Sequence, residues 1–204
     1  MNGSFVHKIC SAECNVLELE AQTMAMQFLR AKPNFPRVPN IIPDIHSEDI
    51  LLLVIRDKKY RFRLLEYLEG EPLIEHEHLS ELSVAAIGAF CARLTLGLAD
   101  FKHSGLDRSL QWDLRRAEPV IKHLMSATVE VENRDQIAAV ITDTLERIRP
   151  FEKRLRVQAV HHDLTGDNIL SRSLESEHLI PDAVIDFGDV MLGWLVGDLA
   201  VTCS

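Results

Sequence analysis

Alternating apolar and polar positions predict strands in the first third of the chain. Residues 4–9 form a short segment bracketed by apolar side chains, which suits a pleated surface. Residues 50–56 and 60–67 lie on either side of a polar turn at 57–59. In the second of these runs Tyr60, Phe62 and Leu64 alternate with Arg61, Arg63 and Leu65, a pattern typical of a half-buried strand.

Helical spacing dominates elsewhere. A helix is predicted after Asn15, which can cap it together with Glu18 three residues later. Its apolar face is predicted to comprise Leu17, Ala21, Met24, Phe28 and Leu29. Further helices are predicted for residues 80–103, 112–124 and 133–148, because apolar residues recur there at helical intervals.

This order of elements predicts an α+β protein with two lobes. Residues 1–68 form a strand-rich lobe that ends in a connector. Residues 69–204 form a mostly helical lobe with a short β section near the end, where apolar runs at 157–160 and 183–187 alternate with polar loops.

Composition narrows the classes of protein. The 204 residues include 22 basic and 31 acidic side chains, a net charge of −9, which disfavours a general nucleic-acid binder. Hydrophobic residues make up 47%, as in a packed globule. Four scattered cysteines, no signal sequence and no apolar run long enough for a bilayer predict a cytoplasmic protein without a membrane segment.

Two polar loops carry the candidate chemistry. One contains Asp163 and Asn168, the other contains Asp186, and each is adjacent to a short apolar run that can hold it in place. Oxygen ligands without thiolates suit a hard cation such as Mg²⁺. Lys8, on the first strand, could bind phosphate oxygens, and Asp163 could orient an attacking hydroxyl. Taken singly, each of these residues could equally be an ordinary turn or surface residue.

The spacing of these residues resembles a known signature. His161-x-Asp163 followed by Asn168, and then Asp186-Phe187-Gly188, is similar to the paired motifs of protein-kinase-like enzymes. The segment lacks the arginine between histidine and aspartate, and with Ile-Asp-Phe-Gly-Asp at 185–189 it resembles the aminoglycoside phosphotransferase superfamily.

Other segments support the resemblance. Residues 5–9 resemble the strand that carries the nucleotide lysine, and residues 63–72 resemble the connector between lobes. Trp-Asp-Leu at 112–114 and the segment 185–190 resemble the hydroxylysine kinase branch.

The resemblance implies a two-lobed, protein-kinase-like fold. Residues 1–68 would be a partial nucleotide-binding lobe with its connector, and residues 69–204 a catalytic lobe. The superfamily has two strands and a glycine-bearing turn before the lysine strand, and helices beyond the Gly-Asp-Leu-Ala segment at 197–200. A chain shortened at both ends, with an incomplete N-terminal lobe, is therefore expected.

The resemblance also implies roles in the catalytic loops. Asp163 would be the catalytic base, and Asn168 and Asp186 would be the Mg²⁺ ligands. His161 and Asp198 would brace the loop that carries Asp163.

On the nucleotide side, Lys8 would grip the phosphates, and an acid on the following helix would pair with it. Gln22 fits the helix register best, and Glu20 is the acid expected to form the pair. The nucleotide base would meet the connector residues Glu66, Tyr67 and Leu68.

The implied activity transfers the terminal phosphoryl group of GTP or ATP, with GTP favoured, to the hydroxyl of 5-hydroxylysine. Trp112 and Asp113 would bind this small cationic acceptor. Alternatives are a kinase for another hydroxylated amine of the aminoglycoside, choline or homoserine type, or an inactive remnant that binds nucleotide or a partner. Nothing in the sequence fixes the oligomeric state.

Overall fold

The structure, a computed structural model, describes residues 3–76, 78–127, 133–173 and 178–204. The strands of this described part are β1 Phe5–Ser11, β2 Ile41–Ile42, β3 Leu51–Ile55, β4 Lys58–Glu66, β5 Glu71–Pro72, β6 Val157–Val160, β7 Ile169–Ser173, β8 Leu179–Val184 and β9 Met191–Trp194. The helices are α1 Val16–Arg30, α2 Glu81–Leu98, α3 Ala117–Ala127, α4 Arg134–Ile148 and α5 Leu195–Thr202.

Strand β4 is the centre of the first sheet. It pairs antiparallel with β1 along one side, from Phe5 opposite Glu66 to Ser11 opposite Tyr60. Strands β2 and β3 pair antiparallel with its other side. The two segments predicted as paired strands around a polar turn are therefore present, and the segment at 4–9 joins their sheet.

The turn between β3 and β4 is tighter than the sequence suggests. Ile55 pairs with Lys58, so only Arg56 and Asp57 lie in the turn, and both have positive φ angles of 49° and 63°. This is the conformation of a two-residue hairpin turn whose twist matches that of the strands. The charged residues at 58 and 59 consequently belong to β4 and not to the turn predicted at 57–59.

Helix α1 begins where its cap was predicted. The Asn15 side chain accepts a hydrogen bond from the Leu17 amide at 3.1 Å and donates one to Glu18 at 3.4 Å. The buried face differs from the prediction, because Leu17 and Met24 are each 46% exposed. The buried apolar positions are Leu19, Ala21, Ala25, Met26 and Leu29.

One cluster of buried apolar side chains joins α1 to the rest of the chain. It includes Met26 and Leu29 of α1, Leu94 and Leu98 of α2, and Val184 of β8. The core therefore continues across the boundary predicted between residues 68 and 69.

Helix α2 is the central helix of this core. Ser80 caps it, with its hydroxyl accepting a hydrogen bond from the Ser83 amide at 3.2 Å. The helix ends at Leu98, five residues before the predicted end at 103. Within the described ranges, α2 is long and apolar enough to cross a membrane, by length and composition alone, a test that core helices of globular proteins also pass.

Two small antiparallel sheets are formed mainly by strands from the last third of the chain. Strand β7 pairs antiparallel with β8 and with β5, and β6 pairs antiparallel with β9. The polar loop 161–168 joins β6 to β7, and the polar loop 185–190 joins β8 to β9. Because each sheet supplies one end of each loop, the two loops are held next to each other.

Gly105 marks a close approach between two parts of the chain. It lies in a 3₁₀ turn, Ser104–Leu106, that packs on the first turn of α1. A Cβ atom on Gly105 would lie 1.9 Å from the Leu17 carbonyl oxygen. Gly105 therefore has a packing role, because no side chain fits between the two segments.

We expect Gly105→Ala to destabilise the protein by about 1–3 kcal/mol, since backbone must move to admit a methyl group. Gly88→Ala is the matched control, because nothing lies within 4 Å of a Cβ there. Gly88 is inside α2, so its replacement should stabilise the protein by about 1 kcal/mol. Urea denaturation of both variants tests this, and equal effects at the two sites would contradict the packing argument.

Candidate active site

The two polar loops are hydrogen bonded to each other. The Ile185 amide donates to the Asn168 carbonyl at 2.9 Å, and the His161 Nε2 atom lies 2.9 Å from the Ile185 carbonyl. A carbonyl only accepts, so His161 carries its proton on Nε2. Burial lowers the pKa of His161, so the ring is neutral and serves as a fixed link between the loops.

Asp198 of α5 holds the start of the first loop. Its two carboxylate oxygens accept hydrogen bonds from the His161 amide at 3.0 Å and the His162 amide at 2.7 Å. Asp198 is buried, and this burial raises the pKa of its carboxyl. His162 has a φ of 71°, a left-handed conformation that is costly for a side-chain-bearing residue. The bonds from Asp198 hold that backbone in place.

Asn168 orients Asp163. Its amide nitrogen donates to the Asp163 carbonyl and to the Asp163 Oδ2 atom, both at 2.8 Å. The amide oxygen of Asn168 takes no part in these bonds and can ligate a cation. The second carboxylate oxygen of Asp163 can accept a proton.

Asp186 is the second strained residue, with φ 55° and ψ 71°. Its Oδ1 atom accepts a hydrogen bond from the Gly188 amide at 3.1 Å, and its Oδ2 atom lies 2.7 Å from the Lys8 ammonium. Burial acts to raise the pKa of Asp186, but the hydrogen bond and charge of Lys8 and the Gly188 amide outweigh it, and the pKa is lowered. The carboxylate is therefore ionised and available to a cation that displaces Lys8.

A cleft of about 430 Å³ connects this ion pair to the connector. Its polar end holds Lys8 and Asp186, and its walls include the apolar side chains of Val6, Leu170 and Ile185. The connector residues Glu66, Tyr67 and Leu68 line the same cleft. Three of the regions predicted to bind the nucleotide or its metal, the Lys8 strand, the connector and the Asp186 loop, thus line one cleft.

The expected ion pair between Lys8 and Glu20 is not present among the described residues. The carboxylate beside Lys8 is that of Asp186, and Glu20 takes part in none of the ion pairs found in the described ranges. The α1 side chain that reaches the Asp186 turn is Gln22, which donates to the Gly188 carbonyl at 2.9 Å. Glu18, one turn earlier, lies 3.4 Å from Arg108.

The two residues expected to bind the acceptor, Trp112 and Asp113, lie in different environments. Trp112 is half exposed and donates from its indole nitrogen to Asp189 at 3.0 Å, so it lies at the edge of the Asp186 turn. Asp113 is buried, and both of its carboxylate oxygens are bonded to the Arg115 guanidinium at 2.9 to 3.2 Å. Asp113 is therefore a structural ion-pair partner and is not free to bind an ammonium group.

Sequence reasoning missed two arginines near the site. Arg63 of β4 is buried and bonds to Gln22, and Arg108 donates to the Gly188 carbonyl. The signal for Arg63 was present, since a charged residue recurs within an alternating apolar strand that pairs with β1. No sequence signal distinguishes Arg108 from a surface residue.

The oxygen atoms present fit a hard cation. Asn168 offers an amide oxygen and Asp186 a carboxylate, the donors that Mg²⁺ takes in proteins. No group of three His, Cys, Asp or Glu side chains in the described part of the chain could hold a metal ion by itself. A cation here would therefore take its remaining ligands from water and a phosphate-bearing substrate.

Replacing Lys8 by methionine should raise the pKa of Asp186, because burial then acts with less opposition. A carboxyl whose pKa is lowered in the folded state stabilises that state at pH values above the ordinary carboxyl pKa. This stabilisation is lost as the pH falls through the lowered pKa. The variant should therefore lose less stability on acidification. Carbon NMR titration of the Asp186 carboxyl measures the shift directly.

Lys32→Met is the control. Lys32 packs over Phe28, so this substitution removes the same charge away from Asp186. An Asp186 pKa that is unchanged in Lys8→Met, or shifted equally by both variants, would contradict the assigned ion pair.

Comparison with known proteins adds relatives along the whole chain. Residues 2–204 match the Phosphotransferase enzyme family. Hydroxylysine kinase of Mus musculus is 29% identical, over 97% of this chain and 55% of the relative. Hydroxylysine kinase of Bos taurus is 31% identical, over 90% of this chain and 51% of the relative. The chain spans about half the length of the curated relatives it matches.

Solved structures share the fold. A microcompartment-associated aminopropanol kinase superposes with a TM-score of 0.74 at 18% identity, over 100% of this chain and 63% of that one. An amicoumacin kinase, solved with AMP-PNP and Ca²⁺, gives a TM-score of 0.68 at 16% identity, over 98% of this chain and 57% of that one. The predicted α+β, kinase-like fold is confirmed, and the chain belongs to the Phosphotransferase enzyme family.

Proposed function

We propose that this chain transfers the terminal phosphoryl group of a nucleoside triphosphate to the hydroxyl of a small amine, with 5-hydroxylysine as the acceptor and GTP as the donor. The observation that carries the proposal is that the loop of the Asp163–Asn168 pair is hydrogen bonded to the loop of Asp186, whose carboxylate pairs with Lys8 in the cleft. The names of the Mus musculus and Bos taurus relatives support hydroxylysine as the acceptor.

In the proposed reaction, Asp163 accepts the proton of the acceptor hydroxyl as its oxygen attacks the terminal phosphorus. The bond from that phosphorus to the nucleoside diphosphate breaks, and the diphosphate leaves. Asn168 holds Asp163 in the orientation needed, because its amide nitrogen fixes one carboxylate oxygen and leaves the other free. Placement of this kind supplies much of the rate enhancement in phosphoryl transfer.

Charge around the phosphates is the second requirement. Mg²⁺, held by Asn168 and Asp186, would neutralise phosphate charge. Lys8 would leave Asp186 and bind phosphate oxygens, exchanging one anionic partner of a partly exposed ammonium group for another.

The base of the nucleotide would meet the connector. The amides of Glu66 and Tyr67 already donate to the carbonyls of Asn40 and Ser4, at 2.8 and 3.2 Å. We therefore propose Leu68, the next connector residue, as the one whose amide meets the base. Residues 1–68 would act as the nucleotide-binding lobe and residues 69–204 as the catalytic lobe.

The acceptor would be a small cation. Trp112 and Asp189 are bonded to each other at the edge of the Asp186 turn, and an aromatic face beside a carboxylate suits an ammonium group. The same chemistry suits other hydroxylated amines of the aminoglycoside, choline or homoserine type. We place the protein in the cytoplasm, acting on small molecules and not on nucleic acids or membranes.

A second candidate function is nucleotide binding without turnover. The observation that favours it is that the cleft is lined by predicted nucleotide-binding residues, Lys8 and the connector, but by neither Asp163 nor Asn168. Binding of Mg-nucleotide with no product from any hydroxylated amine would support this alternative.

We expect Asp163→Asn to lower the rate of phosphoryl transfer to 5-hydroxylysine by about 10²–10⁴-fold, because the amide cannot accept the proton. Radiolabelled GTP and ATP, each with Mg²⁺ and with a panel of hydroxylated amines, provide the assay. Asp167→Asn is the matched control, since Asp167 lies exposed in the same loop.

A rate that is unchanged in Asp163→Asn would contradict the proposed base. Transfer to a different amine of the panel, abolished in the same variant, would retain the chemistry and replace the acceptor.

A further inference from the structure

The Gly188 carbonyl accepts two side-chain hydrogen bonds from outside its own loop. Gln22 of α1 donates from Nε2 at 2.9 Å, and Arg108 donates at 2.7 Å. Arg108 also lies 3.4 Å from Glu18 of α1. Helix α1 therefore contacts the turn at 186–189 directly through one side chain and indirectly through an ion pair.

The partners on either side of Gln22 require an amide at that position. The Arg63 guanidinium donates to Gln22 Oε1 at 2.6 Å, and the Gly188 carbonyl accepts from Gln22 Nε2. Arginine can only donate and a carbonyl can only accept, so their shared neighbour must offer one acceptor and one donor. A glutamate would satisfy Arg63 but would turn a carboxylate oxygen toward the Gly188 carbonyl.

Arg63 is anchored firmly enough to hold Gln22. Its side chain is 7% exposed and also bonds to the Leu19 carbonyl and the Thr23 hydroxyl. Burial lowers the pKa of Arg63, which reflects the cost of removing the guanidinium from water. Leaving such a group without an acceptor would be expensive, so the orientation of the Gln22 amide is fixed from the Arg63 side.

Fixing Gly188 also fixes Asp186. The Gly188 amide donates to Asp186 Oδ1 while its carbonyl accepts from Gln22 and Arg108, so the peptide units on both sides of Gly188 are held. Asp186 has a left-handed backbone that would relax if this hold were released. The direction of the Asp186 carboxylate is therefore linked to α1 through Gln22.

We propose that Gln22 is a positioning residue, which holds the Asp186 carboxylate in the geometry that binds the metal of a Mg-nucleotide. This inference rests on the proposed function. The sequence predicted that an acid paired with Lys8 would link α1 to the site, and we assign this link to Gln22 instead. Gln22 touches neither nucleotide nor metal in this arrangement and acts through the turn.

The test is Gln22→Glu, which keeps the size of the side chain and its acceptor for Arg63 but removes the donor to Gly188. Calorimetry compares GTP and ATP binding with and without Mg²⁺, and hydrogen exchange monitors the amides of 187–190. We expect an affinity loss of about tenfold or more for Mg-nucleotide. Metal-free nucleotide affinity and the melting temperature should stay close to those of the unmodified chain, while exchange at 187–190 rises.

Gln136→Glu on α4 is the matched control. Gln136 is exposed, and its substitution makes the same chemical change on a different helix. Arg108→Met is a second variant, which removes the other donor to Gly188 without touching Arg63. It should weaken Mg-nucleotide binding in the same direction.

Three results would overturn the inference. Gln22→Glu could bind Mg-nucleotide as the unmodified chain does, or it could lose metal-free and metal-bound affinity equally together with its melting temperature, which indicates only a structural role. An unmodified chain that binds no Mg-nucleotide would overturn the proposed function itself and this inference with it.

Discussion

Both loops that carry the candidate chemistry depend on a side-chain-bearing residue in the left-handed region of backbone conformation. His162 immediately precedes Asp163, and Asp186 is itself in this conformation. Each such residue costs about 1–2 kcal/mol relative to an extended or helical backbone. The surrounding structure must therefore supply bonds that a relaxed loop would not make, and it does so by different means in the two loops.

In the first loop the restraint is the Asp198 carboxyl group. Asp198 is buried and accepts hydrogen bonds from the amides of the strained residue His162 and of His161 before it, so two bonds to one carboxyl offset the strain. In the second loop the restraint is a pair of hydrogen bonds, which Gln22 and Arg108 donate to the Gly188 carbonyl. The neutral His161 ring then ties one loop to the other. The positions of Asp163, Asn168 and Asp186 follow from these buried contacts.

The order of strands and helices could be predicted from the sequence because it depends on short-range patterns. Asn15 as a helix cap and residues 157–160 as a strand are local features, and both are present. The loop residues could be predicted as a group because their spacing matches a known signature. The roles of Glu20 and Asp113 could not, since each depends on which of several charged side chains lies nearest in the folded chain. Asp113 is neutralised by Arg115 and Lys8 by Asp186, and neither partner can be identified from residue type alone.

Helix α1 has consequences for how the cleft could open. Its fully buried residues Ala25 and Leu29 pack in one core with α2 and β8, and Gly105 seats the first turn of the helix without a side chain between them. Helix α1 is thus held in the core that it shares with α2 and β8, although it follows β1 of the sheet directly in the chain. Three segments join the sheet to the rest of the chain, namely the turn at 12–15, the segment 31–40 between α1 and β2, and the connector at 66–70. Because Ile41 and Leu65 of the sheet lie in the same buried cluster as α1, and Arg63 bonds to that helix, any opening of the cleft that moved the sheet alone would break apolar and polar contacts together.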